Sequence, residues 1–270
     1  MGAAGMHETT DPLDGFETTT FSHAGQPRTV YRRGAGPAVL VMHEIPGITP
    51  EVARFARRVA DAGFRVYLPH LFGTPGRPLS LGYAGAGILR ACISREFHVL
   101  ARNASSPITS WLRALARHAH GECGGPGVGA VGMCLTGNFA LALVLDAPVT
   151  VPVLSQPSLP FPVTAAHRAA LHCSAGELDA VRRLVAQGGC VLGLRFTADP
   201  MVPPARFATL RRELGQGFEA IEIDSGPGNP HGLGRTAHSV LTTELVDEEG
   251  HPTRAALERV LALFQQRLCD

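Results

Sequence analysis

Between residues 38 and 224 the chain repeats one alternation: a strand-length run of apolar residues, a loop, then a stretch with helical spacing. The first run, 38–43 (AVLVMH), is continuously apolar with no polar face, the pattern of a strand covered on both sides. Residues 51–62 follow with helical periodicity and stop at Gly63. Further strands are expected at 65–71, 129–134, 149–155, 191–199 and 218–224. Helical patterns fall near 86–102, 106–120, 137–146, 177–187, 203–214 and 252–268. Residues 16–33 alternate around a Gly-containing break and read as a β-hairpin at the sheet edge. A chain of this kind has few solutions: an α/β fold with a mostly parallel central sheet and helices on both faces. Residues 1–14 read as a flexible leader and 15–270 as a single domain. The Gly/Pro-rich stretch 73–87 is the largest irregular segment and is placed to line or cover a site.

Composition narrows the chemistry. All 24 basic residues are arginine, so mechanisms that require a lysine, such as a Schiff base or a P-loop, are excluded. The 24 basic and 23 acidic residues leave a formal charge of +1, which gives no electrostatic footprint for nucleic acid or an anionic membrane. A small-molecule partner is expected. Six cysteines, at 92, 123, 134, 173, 190 and 269, show no C-x-x-C spacing and read as reduced thiols of a cytoplasmic protein. The N-terminus has no apolar core of a secretory signal, and no apolar run approaches the ~20 residues that span a bilayer.

In an open α/β sheet, functional residues gather on the loops beyond the carboxyl ends of the strands. The sharpest such loop is Gly132-Met133-Cys134-Leu135-Thr136-Gly137, which ends a strand and opens a helical pattern. It resembles a nucleophile elbow with cysteine in the nucleophile's place. A thiol at a helix N-terminus gains from the dipole and the free N–H groups, although most free cysteines are simply small buried hydrophobes. Asp199 ends the 191–199 run, where it can orient an imidazole or cap the next helix. His231 lies in the loop after 218–224, and the order Cys134, Asp199, His231 is the nucleophile, acid, base order of α/β-hydrolase topology. His238, seven residues further on, is the competing base. The fourth loop, His43-Glu44-Ile45-Pro46-Gly47, follows the first buried strand. There the amide of Ile45, with that of Leu135, is expected to form an oxyanion hole.

Together HEIPG, GMCLTG, the strand end at Asp199 and HGLGR resemble the dienelactone hydrolase family, cysteine hydrolases of the α/β-hydrolase fold. The resemblance implies a triad of Cys134, Asp199 and His231. It also implies a glutamate, Glu44, that pairs with the thiol at rest and releases it when substrate binds. An arginine four residues after the catalytic histidine holds a substrate carboxylate in the family, and Arg235 stands at that offset from His231. A second arginine is implied before the elbow, for which Arg90 and Arg95 are candidates. Two departures stand out. Thr136 replaces the family's usual glycine, which suggests a more crowded turn, and the 65-residue interval from Cys134 to Asp199 suggests an insertion around 160–180.

The expected activity is hydrolysis of a small ester or lactone through a thioester on Cys134. Two alternatives are a thioesterase or acyltransferase on the same scaffold, and a non-catalytic module with Cys134 as redox sensor. No cofactor is indicated. His118, His120 and Cys123 fit no zinc spacing, and the GGPGVG at 124–129 precedes a strand, the wrong context for a dinucleotide loop.

Overall fold

The computed structural model describes residues 12–93, 95–97, 99–102, 104 and 106–269, with the backbone alone for 88 and 90–93. Eight strands form one sheet: β1 (Glu17–His23), β2 (Gln26–Arg33), β3 (Ala38–Met42), β4 (Arg65–Pro69), β5 (Val128–Met133), β6 (Val149–Ser155), β7 (Val191–Phe196) and β8 (Phe218–Ile223). Their spatial order is β1-β2-β4-β3-β5-β6-β7-β8. The β1–β2 hairpin and the β2–β4 pair are antiparallel, and the rest of the sheet is parallel. This is the mostly parallel α/β sheet expected from the alternation, in the α/β-hydrolase fold that the resemblance implies.

The central strands explain why the pattern was legible. Every residue of β3, β5 and β7 is buried, because helices cover both faces. One face packs against α3 (Ile108–Cys123), whose Trp111, Leu112 and Leu115 meet Leu40, Met42 and Ala130 in one core cluster. The other packs against α1 (Pro50–Asp61) and the last helix (Pro252–Leu268), where Phe55, Phe64 and Phe264 meet Val39, Val131 and Val153. Thr49 caps α1 by accepting from the Val52 amide, and Pro50 occupies its first turn, where a missing N–H costs nothing.

Two expectations are corrected. The helix read at 86–102 instead spans α2 (Leu81–Ile93), starting where Gly82 and Gly85 hide the helical pattern. The helix read at 137–146 is a single 3₁₀ turn, Cys134–Thr136, followed by the four-residue α4 (Phe139–Ala142). Ahead of β1, Arg57 donates to the carbonyls of Pro12 (2.6 Å) and Asp14 (3.0 Å). Residues 1–11 lie outside the described residues. The interval between β6 and β7 contains α5 (Ala165–Ala169) and α6 (Ala175–Ala186), which account for its length. Helices α7 (Pro204–Leu214) and α8 (Pro252–Leu268) complete the chain. Among the described residues no helix is long and apolar enough to cross a membrane.

Candidate active site

Cys134 follows the last residue of β5 and has φ +54°, in the left-handed region that a non-glycine residue enters only under constraint. The constraint is built by its neighbours. A Cβ on Gly132 would lie 2.2 Å from the Thr136 carbonyl oxygen, and one on Gly137 would lie 2.4 Å from Pro157 Cα. Glycine is therefore required at 132 and 137. At 136 it is not: the threonine is fully buried and its hydroxyl is put to use. Thr136 Oγ1 accepts from the Met133 amide (2.9 Å) and donates to the Met42 carbonyl (2.9 Å), tying the elbow to the end of β3. The expected crowding at this departure does not arise, because the close approach falls on Gly137.

That tie brings together the two loops expected to carry the oxyanion donors. Leu135 follows Cys134 in the 3₁₀ turn, and Ile45 lies three residues beyond the end of β3. His43, between the end of β3 and Ile45, is fully buried, and burial pushes its imidazole down to about 3, so it is neutral at pH 7. Its Nε2 accepts from the Leu71 amide at 3.0 Å, which leaves the proton on Nδ1 to donate to the Glu44 carbonyl at 3.1 Å. The Glu44 carbonyl and the Ile45 N–H belong to one peptide plane, so His43 fixes the direction in which that N–H points.

Asp199 is 4% exposed at the end of the β7 loop, and its Oδ2 lies 2.7 Å from Nδ1 of His238. Its other oxygen accepts from the Met201 amide at 2.9 Å. The imidazole of His238 faces the Cys134 sulfur. Burial works to lower its proton affinity, but the negative charge of that sulfur and the Asp199 carboxylate outweigh it, so His238 titrates well above 6.5. His231 does not join this group. It is exposed, its ring lies 5.1 Å from that of His251, and its amide is held by Asn229 Oδ1 at 3.2 Å. The histidine that the structure brings to Cys134 and Asp199 is the competing one.

Two assignments tied to His231 change with it. Arg235 is exposed on the turn three residues before His238, and the position four residues after His238 is Thr242. Thr242 donates to Glu44, so a hydroxyl stands where the offset calls for an arginine. Arg95 is exposed, and the side chain of Arg90 lies outside the described residues.

Glu44 is 3% exposed and does not pair with the thiol; among the described residues no hydrogen bond joins them. Its oxygens accept instead from Gln156 Nε2 (3.0 Å), Ser239 Oγ (2.7 Å) and the Thr242 hydroxyl. The three donors come from the β6 loop and from the segment carrying His238, so the carboxylate holds that segment in place. Glu244 reinforces it by accepting from the Ser239 amide at 2.7 Å, and burial raises its own carboxyl above the usual range.

The residues missed in the sequence come from the loop after β6. Gln156 sits at φ +38°, and Ser158 is fully buried with its hydroxyl 3.6 Å from the Cys134 sulfur. The signal that could have found them is positional: this loop, like the others, leaves the carboxyl end of a central strand. A cleft of about 380 Å³ opens beside Pro46, lined by Phe72, Arg77, Tyr83, Gly87 and Phe97. Residues 73–87, helical from Leu81 onward, thus form a wall next to the Ile45–Pro46 loop, and Cys134 is not among the lining residues. Among the described residues no cluster of His, Cys, Asp and Glu could hold a metal ion.

Comparison with solved structures shows the same fold in other proteins. A Klebsiella pneumoniae subsp. pneumoniae MGH 78578 protein described as a dienelactone hydrolase superposes with a TM-score of 0.64 at 18% identity, covering 93% of this chain and 98% of its own. Dienelactone hydrolase from Anabaena variabilis ATCC 29413 gives 0.57 at 15% identity, with 94% and 98% covered. The thioesterase domain from the curacin biosynthetic pathway gives 0.55 at 12% identity, with 92% and 100% covered. No curated protein sequence matches the chain. The family model for the dienelactone hydrolase family matches residues 24–268, from the first hairpin through α8, and the chain belongs to that family.

Proposed function

We propose that the protein hydrolyses small carboxylic esters or lactones through a thioester on Cys134, with His238 as acid and base and Asp199 as the partner of its imidazole. The observation that carries this reading is the 2.7 Å contact between His238 Nδ1 and Asp199 Oδ2 behind a cysteine held at φ +54°. His238 takes the thiol proton on Nε2 while Asp199 keeps the other ring nitrogen donating, which leaves Nε2 aimed at the sulfur. Cys134 Sγ bonds the substrate carbonyl carbon, and the charge that moves to the carbonyl oxygen is met by the amides of Leu135 and Ile45. The alkoxide departs with the proton from His238. Water then attacks the thioester, gives its proton to His238, and the thiolate leaves.

Family membership supports a hydrolase, and the cleft beside Pro46 offers an apolar and aromatic wall for the acyl or alcohol part of a small substrate. The test is a covalent one. Treatment with an electrophilic aryl ester is expected to leave one acyl adduct, located by peptide mass mapping on Cys134, and Cys134→Ala is expected to lose both adduct and turnover. An adduct on Cys92, Cys123, Cys173, Cys190 or Cys269 in place of Cys134, or turnover that survives in the variant, rejects the reading.

A further inference from the structure

We infer that Ser158 is a further catalytic residue: its hydroxyl donates to the Cys134 sulfur while the sulfur is negatively charged, and turns to the Gln156 carbonyl once the sulfur is acylated. The inference rests on Cys134 as nucleophile.

Three atoms surround this hydroxyl: Cys134 Sγ at 3.6 Å, His238 Nε2 at 3.5 Å and the Gln156 carbonyl at 3.1 Å. Ser158 is fully buried, so no bulk water supplies an alternative partner. The hydroxyl has one proton to give. The Gln156 carbonyl accepts in every state, whereas sulfur is a weak acceptor as a thiol or thioester and a strong one as a thiolate. Which partner receives the proton is therefore set by the charge on sulfur. When His238 is protonated, the serine oxygen can accept from Nε2 while its proton lies toward sulfur, which places the hydroxyl inside the ion pair.

The position is built by contacts that do not involve the hydroxyl. The Ser158 amide donates to the Cys134 carbonyl at 3.0 Å. Arg206, fully buried on α7, donates to the carbonyls of Pro157 and Pro160, both at 2.6 Å, and so brackets Ser158 from either side. Further bonds to Ala170 (3.0 Å) and His167 (3.1 Å) complete its set of carbonyl acceptors. Burial brings Arg206 down to about 10, which leaves it charged at neutral pH. Pro157 in turn packs where a Cβ at Gly137 would stand. The 157–160 turn is thus locked onto the elbow by a cation and by close packing, and it presents one hydroxyl to the nucleophile.

In the step itself the S–H bond breaks and the proton moves to His238 Nε2; Ser158 keeps its own proton throughout. As the bond from sulfur to the carbonyl carbon forms, negative charge passes to the carbonyl oxygen, and the hydrogen bond to sulfur loses its advantage over the one to Gln156.

The test compares wild type, S158A and S158T by the rate of iodoacetamide alkylation at Cys134 as a function of pH, with the adduct mapped by peptide mass, and by kcat and KM on an aryl ester. S158A is expected to alkylate about tenfold more slowly at a fixed pH on the rising limb, with the whole profile displaced to higher pH. Its kcat is expected to fall about tenfold, with KM within about twofold. S158T keeps the hydroxyl and is expected to stay within about threefold of wild type; if S158A does not fold, S158G serves as the variant without the oxygen. A profile for S158A that superimposes on wild type, or equal slowing in S158A and S158T, overturns the inference. Wild-type protein that takes the label on another cysteine overturns the hydrolase reading as well, whereas a Cys134 adduct with an unchanged S158A profile removes Ser158 alone.

Discussion

The segment that follows β8 divides into two stretches with the same residue types and opposite surroundings. From 226 to 236 it is mostly exposed and closes on itself: Asn229 donates to the carbonyls of Gly226 (2.9 Å) and Leu233 (2.7 Å) and accepts from the amides of His231 and Leu233. From 237 to 242 its hydrogen bonds run to distant parts of the chain. His238 reaches Asp199, Ser239 and Thr242 reach Glu44, and Val240 reaches Gln156, while Ala237, Val240 and Leu241 sink into the core. A histidine held by its own turn keeps a position relative to that turn only. One held by groups from the loops after β3, β6 and β7 keeps a position relative to the elbow, which is what proton transfer requires.

The largest effect separating the two stretches is expected from exchanging their histidines for alanine. His238→Ala should lose about 10³-fold in kcat/KM on short aryl esters, and His231→Ala should stay within about twofold. Comparable losses in both would erase the distinction. Asp199→Asn comes next, with a loss of about 10²-fold or more as the imidazole tautomer is no longer enforced. Asp199 helps raise the proton affinity of His238, so in this variant the pH at which His238 gives up its proton should move down. The same linkage touches stability. Because His238 binds its proton more tightly folded than unfolded, that contribution is complete below about pH 6.5 and is lost as pH rises through the higher folded-state value. Asp199→Asn should therefore narrow the stability gap between acidic and alkaline thermal melts.

Glu44→Ala sharpens the comparison by loosening only the inner stretch. It leaves the donors of Gln156, Ser239 and Thr242 without their acceptor, at about 1–3 kcal/mol, which a melting curve should show as a drop of several degrees. An unchanged melting temperature would mean that Glu44 does not hold the loop. The smallest effect is expected at Arg235. It is exposed, and its assignment was counted from His231, so Arg235→Ala should alter kcat/KM for carboxylate-bearing and neutral esters equally and by less than about twofold. A selective loss for the charged esters would return it to the substrate site.

The layered sheet and the tight turn at Cys134 were legible in the amino-acid sequence because each is written locally, whereas Asp199 lies three residues beyond the end of β7. A run such as AVLVM has no polar side to wet, and Gly132 and Gly137 leave the space that a strained cysteine needs. The fifth residue of the elbow, Thr136, was misread as crowding because the close contact it was expected to make is with Pro157, 20 residues beyond Gly137, and falls on that glycine. Which histidine meets Asp199, which groups meet Glu44, and the placing of the Ser158 hydroxyl were decided only by tertiary structure. His231 and His238 differ little in sequence surroundings, and an offset counted along the chain cannot tell which loop residue is drawn inward. That depends on where Asp199, Glu44 and Gln156 converge in space, and hydrogen bonds between atoms more than 30 residues apart leave no periodicity to read.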